Sequence, residues 1–232
     1  MKCLHMKKLA NVLYVTIPEA YLSLDGENVV IRKEEKVAMR LPLHNLENIV
    51  CFNYQGASPA LMGACAERNV GLCFLTPNGR FQARITGKVK GNVLLRKKQY
   101  AVSHCQEESL PVAAAFLLGK VANGRKVLER ALRDHAMLVD VAALRHASAA
   151  LKELLPAIAA CESTAELMGF EGRAARIYFG VFGQLVLHGR EDFPFTQRSR
   201  RPPLDNLNSL LSFLYTLLVS EATSALETVG LD

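Results

Sequence analysis

The residues best suited to chemistry lie together at Leu167-Met168-Gly169-Phe170-Glu171-Gly172-Arg173-Ala174-Ala175-Arg176-Ile177-Tyr178-Phe179. Glu171 stands between two glycines ahead of an amphipathic run, and Arg173 and Arg176, three apart, share one helix face. The glycines let the backbone approach a large polyanion. The arginines can fork onto phosphate oxygens, and the carboxylate can hold a hard divalent ion over the same phosphate. A first-turn glutamate stabilised by the helix dipole explains the same residues. By physics alone that second reading is the stronger, because one carboxylate does not fix a magnesium or manganese ion.

No other local constellation competes. There is no nucleophile elbow, Walker loop, dinucleotide fingerprint or His-Glu-x-x-His helix. The six cysteines, at 3, 51, 65, 73, 105 and 161, include no Cys-x-x-Cys pair, and none has a histidine at zinc-ligand spacing. They read as reduced core thiols of a cytoplasmic protein. The N-terminus imitates a secretory leader with Lys2, Lys7 and Lys8 before residues 9–17, but Asn11 interrupts the apolar run and Pro18-Glu19 replaces a small-residue cleavage site.

Charge suggests a polyanionic partner. Lys and Arg exceed Asp and Glu by 28 − 22 = +6, and the isoelectric point is about 9.1. Residues 1–110 hold 15 basic against 9 acidic side chains, whereas residues 111–232 hold 13 of each. Arg80, Arg84, Lys88, Lys90, Arg96, Lys97 and Lys98 form a stretch with no acid, and Arg198, Arg200 and Arg201 form a second cluster. Either could track a DNA backbone, and either could be a solvated strand edge or helix face.

The elements that must position these residues follow from periodicity. The 232 residues, half of them apolar, suffice for one large core or two modest ones. Mean hydropathy is only +0.12, and no window approaches the ~20 unbroken apolar residues of a membrane span, which excludes a polytopic membrane protein. Residues 1–92 read as β-rich. Hairpins are predicted around Asp25-Gly26 and around Pro77-Asn78-Gly79, with a short helix between them that Ser58-Pro59 starts and Asn69 and Gly71 stop. Residues 93–232 read as helical, joined through a junction over residues 92–111. After Pro202-Pro203, a helix capped by Asp205 or Asn206 carries an apolar stripe from Leu207 to Val229 and ends at Gly230. Its polar residues are too frequent for a lipid-facing span, so a buried bundle helix is expected.

The motifs carry a resemblance. Gly169-x-Glu171-Gly172-x-Ala174-Ala175-Arg176-x-Tyr178-Phe179, followed by Arg198-x-Arg200-Arg201-Pro202-Pro203-x-Asp205-x-x-Asn208-x-x-Leu211-Ser212-Phe213-x-Tyr215, resembles the CRISPR-associated endonuclease and integrase of spacer acquisition. Gly26, Pro42-Leu43, Leu46-Glu47-Asn48-Ile49, the run at 71–75, Gly79-Arg80-Phe81 and Gly91-Asn92-x-x-x-Arg96-x-x-Gln99-Tyr100 match that family's N-terminal half in order, most closely its type I members.

The resemblance implies an α+β protein: a β-sandwich-like N-terminal domain that dimerises, then an all-α catalytic domain. The implied partners are double-stranded DNA, a second copy of the chain and a small dimeric CRISPR-associated adaptation protein, with no membrane. In the family a Glu, a His and an Asp bind Mg2+ or Mn2+, and Glu171 matches the Glu. The His and Asp are expected beyond Asp232, so this chain is expected to be inactive or nearly so, with a non-catalytic dimerisation and DNA-binding scaffold as the alternative. Arg84, Arg173, Arg176, Arg198, Arg200 and Arg201 are then expected along the DNA path, although an arginine near two prolines can equally pin a loop. Asn208 and Ser212 are expected to orient the motif by hydrogen bonds. Tyr178 and Tyr215 are expected in core or phosphate-adjacent roles. A cut after the leucine-rich helix would leave its stripe exposed.

Overall fold

Alternating apolar side chains build two sheets from the first part of the chain, in a computed structural model that describes residues 11–34, 36–87 and 93–231. The lysine-led N-terminus, Cys3, His5, Lys88, Lys90, Gly91-Asn92 and Asp232 lie outside the described residues. Strand β1 (Val12–Val15) pairs in parallel with β5 (Asn48–Cys51), β5 in parallel with β6 (Gly71–Leu75), and β6 antiparallel with β7 (Phe81–Ile85). Strands β2 (Tyr21–Asp25), β3 (Asn28–Lys33) and β4 (Lys36–Pro42) form a separate antiparallel sheet.

Period two explains how β5 and β6 are buried on both faces. Ile49, Cys51, Leu72 and Phe74 join Val15, Leu22, Val29, Ile31 and Leu61 in one core. Their neighbours Val50, Cys73 and Leu75 turn the other way into a second cluster with Phe52. Both expected hairpins form. The first turns on Gly26-Glu27, since Asp25 still pairs with Asn28, and Gly26 takes φ +58°, which favours glycine. Helix α1 (Pro59–Arg68) starts where Ser58 Oγ accepts from the Leu61 amide at 3.2 Å and stops at Asn69 in the left-handed region.

Burial sets the thiol chemistry of this unit. It pushes the Cys51 thiol up to about 12, with Cys73 and Cys65 adding to the effect. It pushes the Cys65 thiol up to about 11 despite nearby Arg68. From an ordinary value of 9.0, the unfolded chain releases these protons first. Their contribution to stability is therefore complete below pH 9 and is lost as pH rises through 11 to 12. Urea midpoints should fall above pH 9 in the wild type and fall less in Cys51→Ala, and native Cys51 and Cys65 should resist maleimide at pH 8.

The helical unit is built from α3 (Gln106–Asp134), α4 (Val141–Ala159) and α5 (Thr164–Gly180), preceded by α2 (Val93–His104). Among the described residues, the expected junction is helical on both sides of Cys105, which separates α2 from α3. Leu117, Val121 and Leu128 of α3 meet Leu144, Leu151 and Ile158 of α4 and Leu167 and Ala174 of α5 in one core. Helix α4 is capped by Asp140, whose Oδ1 accepts from the Ala143 amide at 3.0 Å.

Helix α6 (Asn206–Thr228) departs from the buried bundle helix expected of it. One unit comprises the chain up to Arg96 together with Phe213 onward, and the other comprises Lys97–Ser212. The units thus divide between Arg96 and Lys97 and again within α6, between Ser212 and Phe213. Phe213 and Leu217 pack on the Val50, Phe52, Cys73 and Leu75 cluster, while Leu210, Leu214, Leu218, Val219, Leu226 and Val229 are exposed. By length and composition α6 could cross a membrane. Its polar side chains are instead engaged within the units: the Asn48 amide donates to Glu221 at 2.7 Å, and Asn208 is fully buried.

Candidate functional site

Glu171 lies in the middle of a helix, not at the start of one. Ser163 caps α5, its Oγ accepting from the Glu166 amide at 3.2 Å while Glu166 accepts from the Glu162 amide at 3.0 Å. Gly169 and Gly172 are ordinary helical residues inside α5. Glu171 therefore stands two turns in, and the helix-dipole explanation of it fails, because that field fades within the first turn.

Its direction is set by packing on α3. Leu167 and Ala174 are buried in the helical core, and Glu171 shares their face at spacings of four and three. One turn further on, the Tyr178 ring lies against Gly124 of α3, where an added Cβ would meet it at 3.4 Å. Across that same contact, Lys120 Nζ donates to Glu171 Oε1 at 2.7 Å, with the two side chains 60% and 52% exposed.

The two arginines do not converge on this carboxylate. At 3.6 residues per turn, Arg173 and Arg176 point about 200° and about 140° around α5 from Glu171, and both are exposed. The expectation that carboxylate and arginines act on one phosphate is corrected here. They belong to opposite faces, and the cation on the carboxylate is Lys120. A faint signal of it was present in the sequence: in α3 the spacing Ala113, Leu117, Lys120, Gly124 puts a lysine on the face that otherwise packs on α5.

Arg198, Asn208 and Ser212 are brought together. Arg198 Nη1 donates to Asn208 Oδ1 at 2.7 Å and Nη2 donates to Ser212 Oγ at 3.3 Å, and Nη1 also bonds the Ser199 carbonyl. Asn208 is the hub. Its Oδ1 also accepts from the Ser199 amide at 3.0 Å, and its Nδ2 donates to Gln197 O at 2.8 Å and Asp205 Oδ2 at 2.6 Å. Asp205 Oδ1 accepts from the Asn208 amide at 2.7 Å and so caps α6. Arg198 thus pins the loop that carries the cis Arg201-Pro202 bond, while Arg200 and Arg201 are exposed. Tyr178, Phe179, Phe182 and Phe195 cluster with ring centroids 5.1 to 6.1 Å apart, and Tyr215 is partly exposed.

Arg84 is likewise spent inside its unit. It is 11% exposed, Nη2 donates to Ser220 O at 2.9 Å and to Ser220 Oγ at 3.0 Å, and Nη1 lies 3.7 Å from Glu227. It holds α6 to the sheet and is corrected from a DNA-track residue to a structural one. Nearby Gly71 is required by close approach, since a Cβ there would stand 1.7 Å from Asn48 Oδ1. Lys98 of the same basic stretch is paired with Glu108, while Arg80 and Lys97 are exposed.

A divalent ion needs more than these residues provide. Among the described residues, no group of three His, Cys, Asp or Glu is placed to hold one. The carboxylate of Glu171 is already neutralised by an ammonium. A single paired carboxylate does not fit Mg2+ or Mn2+, which take several oxygen ligands in near-octahedral geometry.

Known proteins share this architecture. The chain is 47% identical over 231 residues to CRISPR-associated endonuclease Cas1 2 of Rhodospirillum rubrum, covering 98% of this chain and 66% of the relative. It is 43% identical over 227 residues to CRISPR-associated endonuclease Cas1 1 of Chlorobaculum tepidum, again covering 98% and 66%. The chain thus spans just under two thirds of the length of these relatives. Among solved structures, a casposase bound to integration product superposes with a TM-score of 0.74 at 20% identity, covering 96% of this chain and 62% of that one. A Cas1 protein from Thermotoga maritima superposes with a TM-score of 0.70 at 21% identity, covering 96% and 67%. Residues 13–232 match the family described as CRISPR associated protein Cas1, a span that takes in the sheets, the Glu171 helix and the Arg198 loop, and the chain belongs to that family.

Proposed function

We propose that this chain carries the DNA-handling part of a Cas1 endonuclease and integrase, which cuts and joins DNA phosphodiesters when new spacers enter a CRISPR array in the cytoplasm. Membership of the family over residues 13–232, a span that includes Glu171, is the observation that carries this reading. On this reading Glu171 would be one of three ligands to Mg2+ or Mn2+, the other two not being among the described residues, and the ion would supply Lewis-acid stabilisation of the phosphate. The protein works as a homodimer with a small dimeric CRISPR-associated partner. Exposed Arg173, Arg176, Arg200 and Arg201 meet the DNA backbone, and Arg198, Asn208 and Ser212 hold the loop that presents two of them.

The second reading, a DNA-binding scaffold, is favoured for this chain alone by one observation: the carboxylate of Glu171 is neutralised by Lys120, with no three-ligand group among the described residues. The purified chain should bind duplex DNA but leave plasmid DNA uncut in Mn2+. If about three phosphates are neutralised, affinity should fall about 40-fold between 50 and 200 mM salt, and Arg200→Ala with Arg201→Ala should flatten that slope. Failure to bind DNA at any salt concentration would contradict the DNA-handling role. Strong cutting lost in Glu171→Ala would contradict the scaffold reading.

A further inference from the structure

Tying α6 to the sheet does not use all of Arg84. Its Nη2 meets both oxygens of Ser220, and Nη1 stands 3.7 Å from Glu227, beyond hydrogen-bond reach. Its Nε is buried and has no hydrogen-bond partner among the described residues. A buried donor on a charged group is costly to leave unpaired, and folded proteins pair nearly all such groups with protein, water or an ion. Arg84 lines a cavity of about 720 Å3 that lies wholly within the first unit, between the end of α1, the starts of β5 and β6, the end of β7 and the second half of α6. A cavity of that size takes a small organic ligand rather than one water. Two of the charged groups around it are already paired: Arg68 with Glu27 at 2.7 Å, and Glu221 with the Asn48 amide at 2.7 Å. Glu47 is exposed, and Arg96 adds a second guanidinium to the wall.

We propose that this cavity is a ligand site, separate from Glu171, for a small oxyanion: phosphate, free or carried by a mononucleotide, held by the Nε–H of Arg84 with Arg96 on the same wall. A guanidinium presents its donors in a planar fork that matches phosphate oxygens, and such charge-assisted bonds are about twice as strong as neutral ones. The two bonds to Ser220 already fix the Arg84 side chain, so little rotamer freedom is left to lose on binding. Glu227 is the group the anion displaces. At 3.7 Å from Nη1 and 35% exposed, it screens the guanidinium without bonding it. The cavity is larger than a lone phosphate fills, which leaves room for a nucleoside.

The test is isothermal titration calorimetry of the whole chain, in a chloride buffer free of other oxyanions, with inorganic phosphate and with adenosine monophosphate. Both should bind saturably at one site. Glu227→Gln removes a like charge a few ångströms from the anion and should tighten binding about three- to fivefold, a gain that misfolding does not produce. Arg84→Lys keeps the charge but loses the Nε–H, and should weaken binding at least about tenfold, with circular dichroism confirming that the variant is folded. Tighter binding of the nucleotide than of phosphate assigns the cavity to a nucleotide, and equal binding assigns it to the free ion; either supports the site. No saturable binding of either compound at millimolar concentration, or an affinity left unchanged by either substitution, overturns it.

Discussion

Asn208→Ala should release the loop at residues 197–205 and destabilise the helical unit by about 3 kcal/mol, the sum expected when several hydrogen bonds, some to charged groups, are lost from a buried hub. The Asn208 side chain is fully buried and bonds Arg198, the Ser199 amide, the Gln197 carbonyl and Asp205. Truncation removes every one of these contacts at once and leaves the Ser199 N–H and Gln197 C=O unpaired. Asn208→Asp should not rescue it. The new carboxylate would keep the two acceptor contacts, lose both donations and face the Asp205 carboxylate at the position where Nδ2 now stands 2.6 Å away. Ser212→Ala should cost much less, since the Arg198 contact it loses is longer, at 3.3 Å. Urea denaturation and amide exchange at Gln197 and Ser199 check these outcomes. A change below about 0.5 kcal/mol, the range of ordinary surface substitutions, would show that the loop is held by something else.

Local signals were readable in the sequence, and long-range pairings were not. The Ser58-Pro59 start of α1, the Gly26 turn and the Asp205 cap each depend on residues within four positions of one another. Read as a boundary, the two glycines put Glu171 at a helix start, yet both lie inside α5. The stronger boundary is Ser163-x-x-Glu166, where Ser163 Oγ accepts from the Glu166 amide and the Glu166 carboxylate accepts from the Glu162 amide, starting α5 more than a turn before Gly169. Glycine costs a helix interior only about 1 kcal/mol, and the packing of Leu167 and Ala174 absorbs that. The Lys120 contact to Glu171 and the Arg84 contacts to Ser220 span 51 and 136 residues. No spacing rule reaches that far, so charge patterning alone assigned Arg84 to DNA. The apolar stripe of α6 was visible, but which side it would bury was not, because Phe213 and Leu217 are selected by the shape of the β5 and β6 face.

The largest functional effect is expected at Glu171. The chain covers 66% of the Rhodospirillum rubrum endonuclease, so a full-length test of Glu171 needs the longer relative as its frame. Placing this chain in the matched region of the Rhodospirillum rubrum relative gives a chimera of that relative's full length in which the contribution of Glu171 can be read. The carboxylate charge, not its size, is what a divalent ion requires. Glutamine keeps the shape and the bond from Lys120 but removes that charge. Its cost should exceed the 10- to 100-fold typical of losing an outer-sphere partner, so about 100-fold or more.

The most direct measurement is the rate at which that chimera cuts and joins duplex DNA in Mn2+, with Glu171 intact and as Glu171→Gln, both verified as folded by circular dichroism. The predicted result is cutting and strand transfer by the first and a loss of about 100-fold or more in the second. Equal rates in the two proteins would contradict the assignment of Glu171 as a metal-ligating carboxylate of the active centre.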